Sequence, residues 1–206
     1  LRCLKIETMK VFIIDFQKEL TYFPNLKIIN LSYNDSISYS GYEALCEGFK
    51  KLNNLSQLIL SSNNISDKVM EYICNIFEQC KKLSVIDLSI NIITSGGFSH
   101  FCQNLSKHKI KLSEMDFYKN KISDDGFKTF CDEANNDTFS NLQKLNLGHN
   151  ELGNDSMKNF SSIFLKCINL EEVNFSNNNL TDEITLYFSP QLNELVDNIQ
   201  KIDISN

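Results

Sequence analysis

With 206 residues, 42% of them apolar, the chain is long enough to enclose one sizeable hydrophobic core and too apolar to stay disordered. A formal charge of -6 excludes a protein that grips nucleic acid or anionic membrane over its whole surface, so no nucleic-acid partner is expected. No apolar run approaches the roughly 20 residues that cross a bilayer as a helix, and no membrane segment is expected either.

The chain repeats itself along its length. Its pattern, LxxLxLxxNxL, is clearest as Leu142, Leu145, Leu147, Asn150 and Leu152. Taken in order, the first apolar position falls at Leu1, Leu26, Leu55, Leu83, Leu112, Leu142, Leu170 and Ile199, in steps of 25 to 30 residues. Two further apolar positions follow each in register, from Leu4 and Ile6 in the first copy to Ile202 and Ile204 in the last. Alternation over so short a run predicts a strand with one face buried, in each of eight copies.

The asparagine position is filled by Asn34, Asn63, Asn91, Asn120, Asn150 and Asn178, with Met9 in the first copy. An amide both donates and accepts. A stacked ladder of asparagines therefore satisfies backbone groups where each copy turns out of its strand, and ties that copy to its neighbours.

The second half of each copy has a helical period, as in Tyr42, Leu45 and Phe49; Met70, Ile73 and Phe77; Phe98, Phe101 and Leu105; Phe127, Phe130 and Ala134; and Met157, Phe160 and Phe164. Ser66-Asp67, Ser123-Asp124 and Thr181-Asp182 stand before three of these runs and predict N-caps on the first-turn amides. Ile184, Phe188 and Leu192 continue the pattern around Pro190, which predicts a kinked or shortened helix there.

The seven cysteines follow the repeat. Cys46, Cys74, Cys102 and Cys131 each follow the central apolar residue of a helix, while Cys80 and Cys167 share a position three residues before the next copy. Small buried residues between helix and strand explain both sets. No CxxC pair occurs, and His100 with Cys102 is an isolated HxC, so neither a metal nor a cofactor is expected. Buried thiols point to a reducing, cytoplasmic compartment.

The strand pattern and helix openings such as Ile65-Ser66-Asp67 and Ile122-Ser123-Asp124-Asp125-Gly126 resemble leucine-rich repeats of the ribonuclease-inhibitor-like class, whose copies of about 28 to 29 residues pair a strand with a full helix. Cys80 to Leu83 and Cys167 to Leu170 are also similar to the CxxL of cysteine-containing repeats in F-box proteins, although those usually place cysteine where this chain has asparagine. The resemblance covers nearly the whole chain. It implies an α/β solenoid, a curved leucine-rich repeat horseshoe fragment with a parallel β-sheet on the concave face and helices on the convex face. Residues 1–206 are then expected to form a single domain of about eight strands with incomplete first and last repeats, part of a longer array. Members of the family inhibit nucleases, stimulate Ran-type GTPases, sense ligands, and organise actin or ubiquitin-ligase assemblies, so no single activity is implied.

Residues that alternate with the buried leucines face the concave sheet, where copies stack about 4.8 Å apart. One row reads Asn30, Ile59, Asp87, Asp116, Asn146, Asn174 and Asp203. Just beyond the strands follow Ser32, Ser61, Ser89, Tyr118, Gly148 and Ser176, and beside them Tyr33, Ser62, Ile90, Lys119, His149 and Asn177. Glu114 joins Asp87 and Asp116 in an acidic patch that Lys119 or Lys144 is placed to offset, and Tyr33, Ile59, Val85 and Ile90 make an apolar one. With Tyr118, Lys144, Asn146, His149 and Asn174, these residues form the expected site for a protein partner that brings lysine or arginine to the acids and an apolar group to Ile59 and Ile90. The bland alternative is a solvated sheet of chance composition.

Catalysis finds little support, since His149 is the only histidine expected on this face and neither a glycine-rich phosphate loop nor an HExxH motif occurs. Lysines such as Lys50, Lys51, Lys81, Lys82, Lys107 and Lys109 gather after helices and acids at helix starts, as helix dipoles favour, without the interleaved aromatics of a nucleic-acid surface. The sequence predicts a non-enzymatic protein-protein recognition scaffold whose partner and oligomeric state stay open. A Ran-type GTPase-activating protein is the first rival reading. The second is the sensing or substrate-binding segment of a larger receptor, secreted effector or ubiquitin-ligase subunit.

Overall fold

A short strand opens each copy of the pattern in the computed structural model, which describes residues 2–5, 18–134, 137–163, 166–188 and 199–205. The strands are β1 (Cys3–Lys5), β2 (Ile28–Asn30), β3 (Gln57–Ile59), β4 (Val85–Asp87), β5 (Glu114–Asp116), β6 (Lys144–Asn146), β7 (Glu172–Asn174) and β8 (Lys201–Asp203). Each pairs in parallel with the next and without register shift, so Leu4, Ile29, Leu58, Ile86, Met115, Leu145, Val173 and Ile202 form one row across a single open sheet. The central residues of β2 to β7 are buried and their flanking residues face the other side, as a two-residue period demands.

Helices alternate with the strands: α1 (Tyr39–Phe49), α2 (Asp67–Asn75), α3 (Ser95–His108), α4 (Asp124–Ala134), α5 (Asn154–Ile163) and the short α6 (Thr185–Phe188). Each of α1 to α5 packs against the helix of the next repeat. The result is an α/β solenoid whose core lies between one face of the sheet and the helix row. All three apolar positions of the inner copies are buried there, as is every described member of the helix faces from Tyr42 to Phe160. Where the third leucine gives way to phenylalanine, helix rings meet it edge-on: Phe98 and Phe101 approach Phe117 at 4.9 and 5.1 Å, and Phe127 and Phe160 approach Phe175 at 5.6 and 5.2 Å. Such pairs add about 0.5–1.5 kcal/mol each beyond the area they bury.

The six asparagines bridge successive repeats. The Oδ1 of Asn63 accepts from the Asn34 N–H at 2.7 Å, that of Asn91 from Asn63 at 3.0 Å and Ile65 at 2.9 Å, that of Asn120 from Ile93 at 3.0 Å, that of Asn150 from Ile122 at 3.0 Å, and that of Asn178 from Leu152 at 3.0 Å. The Nδ2 groups donate backward as well, for example from Asn120 to the Leu88 carbonyl at 3.0 Å and from Asn150 to the Phe117 carbonyl at 2.9 Å. No other short side chain both accepts and donates twice from one planar group. Met9, the first-copy counterpart, lies outside the described residues, as do Leu1, Ile6, Phe164, Pro190 and Leu192 and the distortion expected at the proline.

Capping differs from the expected pattern. Ser66 makes no capping bond, and its Oγ is buried without a partner. Ser123 instead bonds Ser95 of the preceding repeat at 2.8 Å, while Thr181 caps as expected, its hydroxyl accepting from the Glu183 amide at a long 3.4 Å and also from Asn154 Nδ2 of the preceding repeat at 2.7 Å. In the first two dipeptides the work passes to the acids, which cap the following repeat rather than their own. Asp67 accepts from the Thr94 amide at 2.8 Å and from the Thr94 hydroxyl. Asp124 accepts from the amides of Gly153 at 2.8 Å and Ser156 at 3.1 Å, and from the Ser156 hydroxyl. Stacking sets helix N-termini side by side, so a first-turn carboxylate reaches the next helix as easily as its own. Glycine makes this approach possible, because a Cβ on Gly97 would lie 2.5 Å from the Asp67 carboxylate.

Candidate functional site

The first and third residues of each strand point away from the core and build two rows on the open face of the sheet. Across β3 to β8 the first row is Gln57, Val85, Glu114, Lys144, Glu172 and Lys201, and the second row contains Ile59, Asp87, Asp116, Asn146 and Asn174. Both rows line a groove of about 500 Å³. It gathers eight residues expected from the sequence: Ile59, Val85, Asp87, Glu114, Asp116, Lys144, Asn146 and Asn174. Gln57, Glu172 and Lys201 also line it and were not anticipated, although the alternation that selects Val85, Glu114 and Lys144 selects them equally.

The two rows differ in how their charges are balanced. Glu114, Lys144, Glu172 and Lys201 alternate in sign on successive strands, and Lys144 Nζ lies 2.9 Å from Glu172. That bond holds the Glu172 carboxyl below the usual range and the Lys144 ammonium above it. In the second row Asp87 and Asp116 are register partners, and neither forms an ion pair with a described residue. Asp87 Oδ1 accepts from the Ser89 amide at 2.9 Å and the Ser89 hydroxyl at 2.6 Å. Asp116 accepts from the Tyr118 amide at 2.8 Å and from Asn146 Nδ2 at 3.0 Å. Burial, and then the Asp87 charge, push the Asp116 carboxyl up, against the pull of these two bonds.

This corrects the expectation that Lys144 offsets the aspartates. Glu172 stands directly opposite it in the same row, one strand away, whereas the aspartates belong to the other row. Lys119 sits in a different place altogether, beyond the end of its strand.

Four expected site residues fall outside the groove. Tyr33, Ile90 and His149 belong to a row that also holds Ser62, Lys119 and Asn177, and all six have φ between 53° and 61°. This is the left-handed position where each repeat turns out of its strand. It is fixed by bonds from its N–H to the next repeat, such as Ile90 to the Tyr118 carbonyl at 2.7 Å and His149 to the Ser176 carbonyl at 2.8 Å. Tyr33 and Ile90 are 62% and 41% exposed along this rim. Tyr118 precedes the turn and meets the His149 ring edge-on at 4.9 Å. Apart from the buried strand centres Ile86, Met115, Leu145 and Val173, the groove's apolar side chains are therefore Ile59 and Val85, without Tyr33 or Ile90. Ser32, Ser89 and Ser176, expected on the sheet surface, are buried, and their amides bond Asn30, Asp87 and Asn174.

Six of the seven cysteines are buried; burial raises their thiols, pushing Cys80 and Cys167 up to about 12, and Cys80 donates to the Phe49 carbonyl at 3.3 Å. Among the described residues no three histidine, cysteine or acidic side chains gather as metal ligands, and no helix is long and apolar enough to cross a membrane.

Comparison with known proteins agrees with the architecture. The Leucine Rich repeat family model matches residues 24–46, 51–74, 140–161 and 166–186, so these four segments are leucine-rich repeats. Among solved structures it is similar to the internalin inlF from Listeria monocytogenes, with 16% identity and a TM-score of 0.57 over 99% of this chain and 54% of the internalin. The chain thus spans about half the length of that protein. It is also similar to the actin-binding site 2 of leiomodin-1, with 11% identity and a TM-score of 0.60 over 78% of this chain and 91% of that one. At such identities the likeness is one of fold. Among curated proteins none matches the sequence.

Proposed function

We propose that this chain is a non-enzymatic scaffold of the ribonuclease-inhibitor-like class, working in the reducing cytoplasm, and that the concave face of its sheet binds a protein partner. One observation carries the reading: Asp87 and Asp116 are held side by side by amide and hydroxyl donors while no described cation neutralises them. Folding alone gains nothing from two carboxylates at that spacing, whose repulsion is on the order of 1 kcal/mol. A partner that supplies positive charge does. Eight strands span about 35 Å, room for the ~800 Å² per side of an ordinary protein interface. The six buried thiols suit a reducing compartment. The leiomodin-1 neighbour is an actin-binding site, which supports protein binding as a use of this architecture without transferring actin to this chain.

A photo-crosslinking residue at Gln57 or Val85 in the groove, compared with one at the exposed Gln103 of α3 or Asp132 of α4, tests the assignment. In extracts of the source cell the groove positions should give a covalent adduct with one defined protein and the helix positions none. Adducts from the helix positions alone would overturn the proposal.

A further inference from the structure

We infer that the groove reads an extended peptide segment of its partner that carries an apolar and a basic side chain two residues apart. This deepens the proposed function and rests on it.

The first row is already balanced. Glu114, Lys144, Glu172 and Lys201 alternate in register, and the ion pair at 2.9 Å leaves little for a partner to neutralise there. The second row is not balanced, because Asp87 and Asp116 meet only neutral donors. Those donors also fix where the charge points. Asp87 Oδ1 is occupied by Ser89, while Asn146 and the Tyr118 amide hold Asp116, so the pair forms an ordered notch between β4 and β5. A metal ion would need more oxygen ligands than this, and the described residues offer no third acid in reach. An ammonium or guanidinium needs only the two carboxylates.

One strand to the side, the second row becomes apolar at Ile59, the register partner of Asp87, and Val85 lies diagonally from it in the first row of the same groove. From Ile59 on β3 to the middle of the β4–β5 notch is one and a half strand spacings, or about 7 Å at ~4.8 Å per strand. An extended peptide advances about 3.3 Å per residue and presents residues i and i+2 on one side. Two residues of such a chain, lying across the strands, therefore place one side chain on Ile59 and Val85 and the other in the notch. The groove volume of about 500 Å³ lies in the range of sites that hold side-chain-sized groups.

The test is a library of synthetic heptapeptides, each with one apolar residue and one lysine or arginine at separations of one to four, screened by fluorescence anisotropy against the full chain. Binders should be enriched at a separation of two in either chain direction. The double variant Asp87→Asn/Asp116→Asn should weaken them at least about tenfold, and should fold, because neighbouring repeats carry Asn30, Asn146 and Asn174 at the same position. Undiminished binding by the double variant, no dependence on separation, or no binding from any peptide would overturn the inference. Crosslinks from Gln57 to a partner whose bound segment lacks the pattern would overturn it while leaving the proposed function standing. Absence of both peptide binding and groove crosslinks would remove the two together.

Discussion

Asp87 and Asp116 are register partners on adjacent strands, and their carboxylates share a groove with no described cation bonded to either. Asp116 is held above its ordinary value of 3.8, mainly by burial. Its charged form therefore destabilises the folded state at neutral pH, and the penalty fades as pH falls from the folded value to the unfolded one, because the folded state takes up the proton first. Asp116→Asn should raise stability at about pH 7 by up to about 1 kcal/mol. The advantage should shrink toward about pH 4, near the ordinary carboxylate range. Glu172 and Asp203 have the opposite sign: held low by their partners, they stabilise above the ordinary carboxylate range, and that contribution is lost as pH falls. Thermal melts of both proteins across this range check the prediction.

Asn120 joins two repeats through its amide, accepting from Ile93 at 3.0 Å and donating to Leu88 at 3.0 Å in the preceding repeat and to Phe117 at 3.1 Å in its own. Asn120→Ala should cost about 1–3 kcal/mol by leaving those buried backbone groups unpaired. Asn120→Asp should do no better, since it keeps the acceptor and loses both donors. Urea titrations should show a lower midpoint with an unchanged slope.

The capping residues separate two neighbours that look equivalent in sequence. Asp67→Ala removes the bonds to Thr94 of the next repeat and should cost roughly 0.5–2 kcal/mol. Ser66→Ala removes only an unpartnered buried hydroxyl and should leave stability unchanged or raise it. Equal losses in urea denaturation would contradict the assignment of capping to the acid.

Ile90 is a β-branched residue at φ 54°, a conformation that disfavours a branched side chain. Ile90→Asn should stabilise the fold by about 1 kcal/mol. Asn177 already fills the equivalent turn at φ 53°. A lower melting temperature for the variant would show that the isoleucine contributes packing the geometry does not reveal.

Native thiol labelling should modify Cys3 alone, which is exposed, and the buried cysteines only on unfolding. Rapid labelling of Cys46 or Cys102 in the folded protein would contradict their place in the core.

The eight strands and their core were legible in the sequence because a short two-residue alternation recurring every 25 to 30 residues admits few other structures. The groove residues Asp87, Asp116 and Asn146 followed from the same alternation. Three things did not. Capping by Asp67 and Asp124 depends on which helix starts lie side by side, a relation between repeats rather than within one. The turn row of Tyr33, Ile90 and His149 takes a left-handed backbone that glycine or asparagine would announce and these residues do not. The pairing of Lys144 with Glu172 required the whole first row to be laid out in register, where Glu172 competes with the aspartates and wins by standing directly opposite.

The most direct test of the account is the affinity of the crosslinked partner for Asp87→Asn/Asp116→Asn, which keeps the acceptors for Ser89, Tyr118 and Asn146, against the unaltered chain, with the melting temperature of each as the control. The account predicts an affinity lowered at least about tenfold with no loss of melting temperature. Undiminished affinity would contradict it and place recognition on another face of the solenoid.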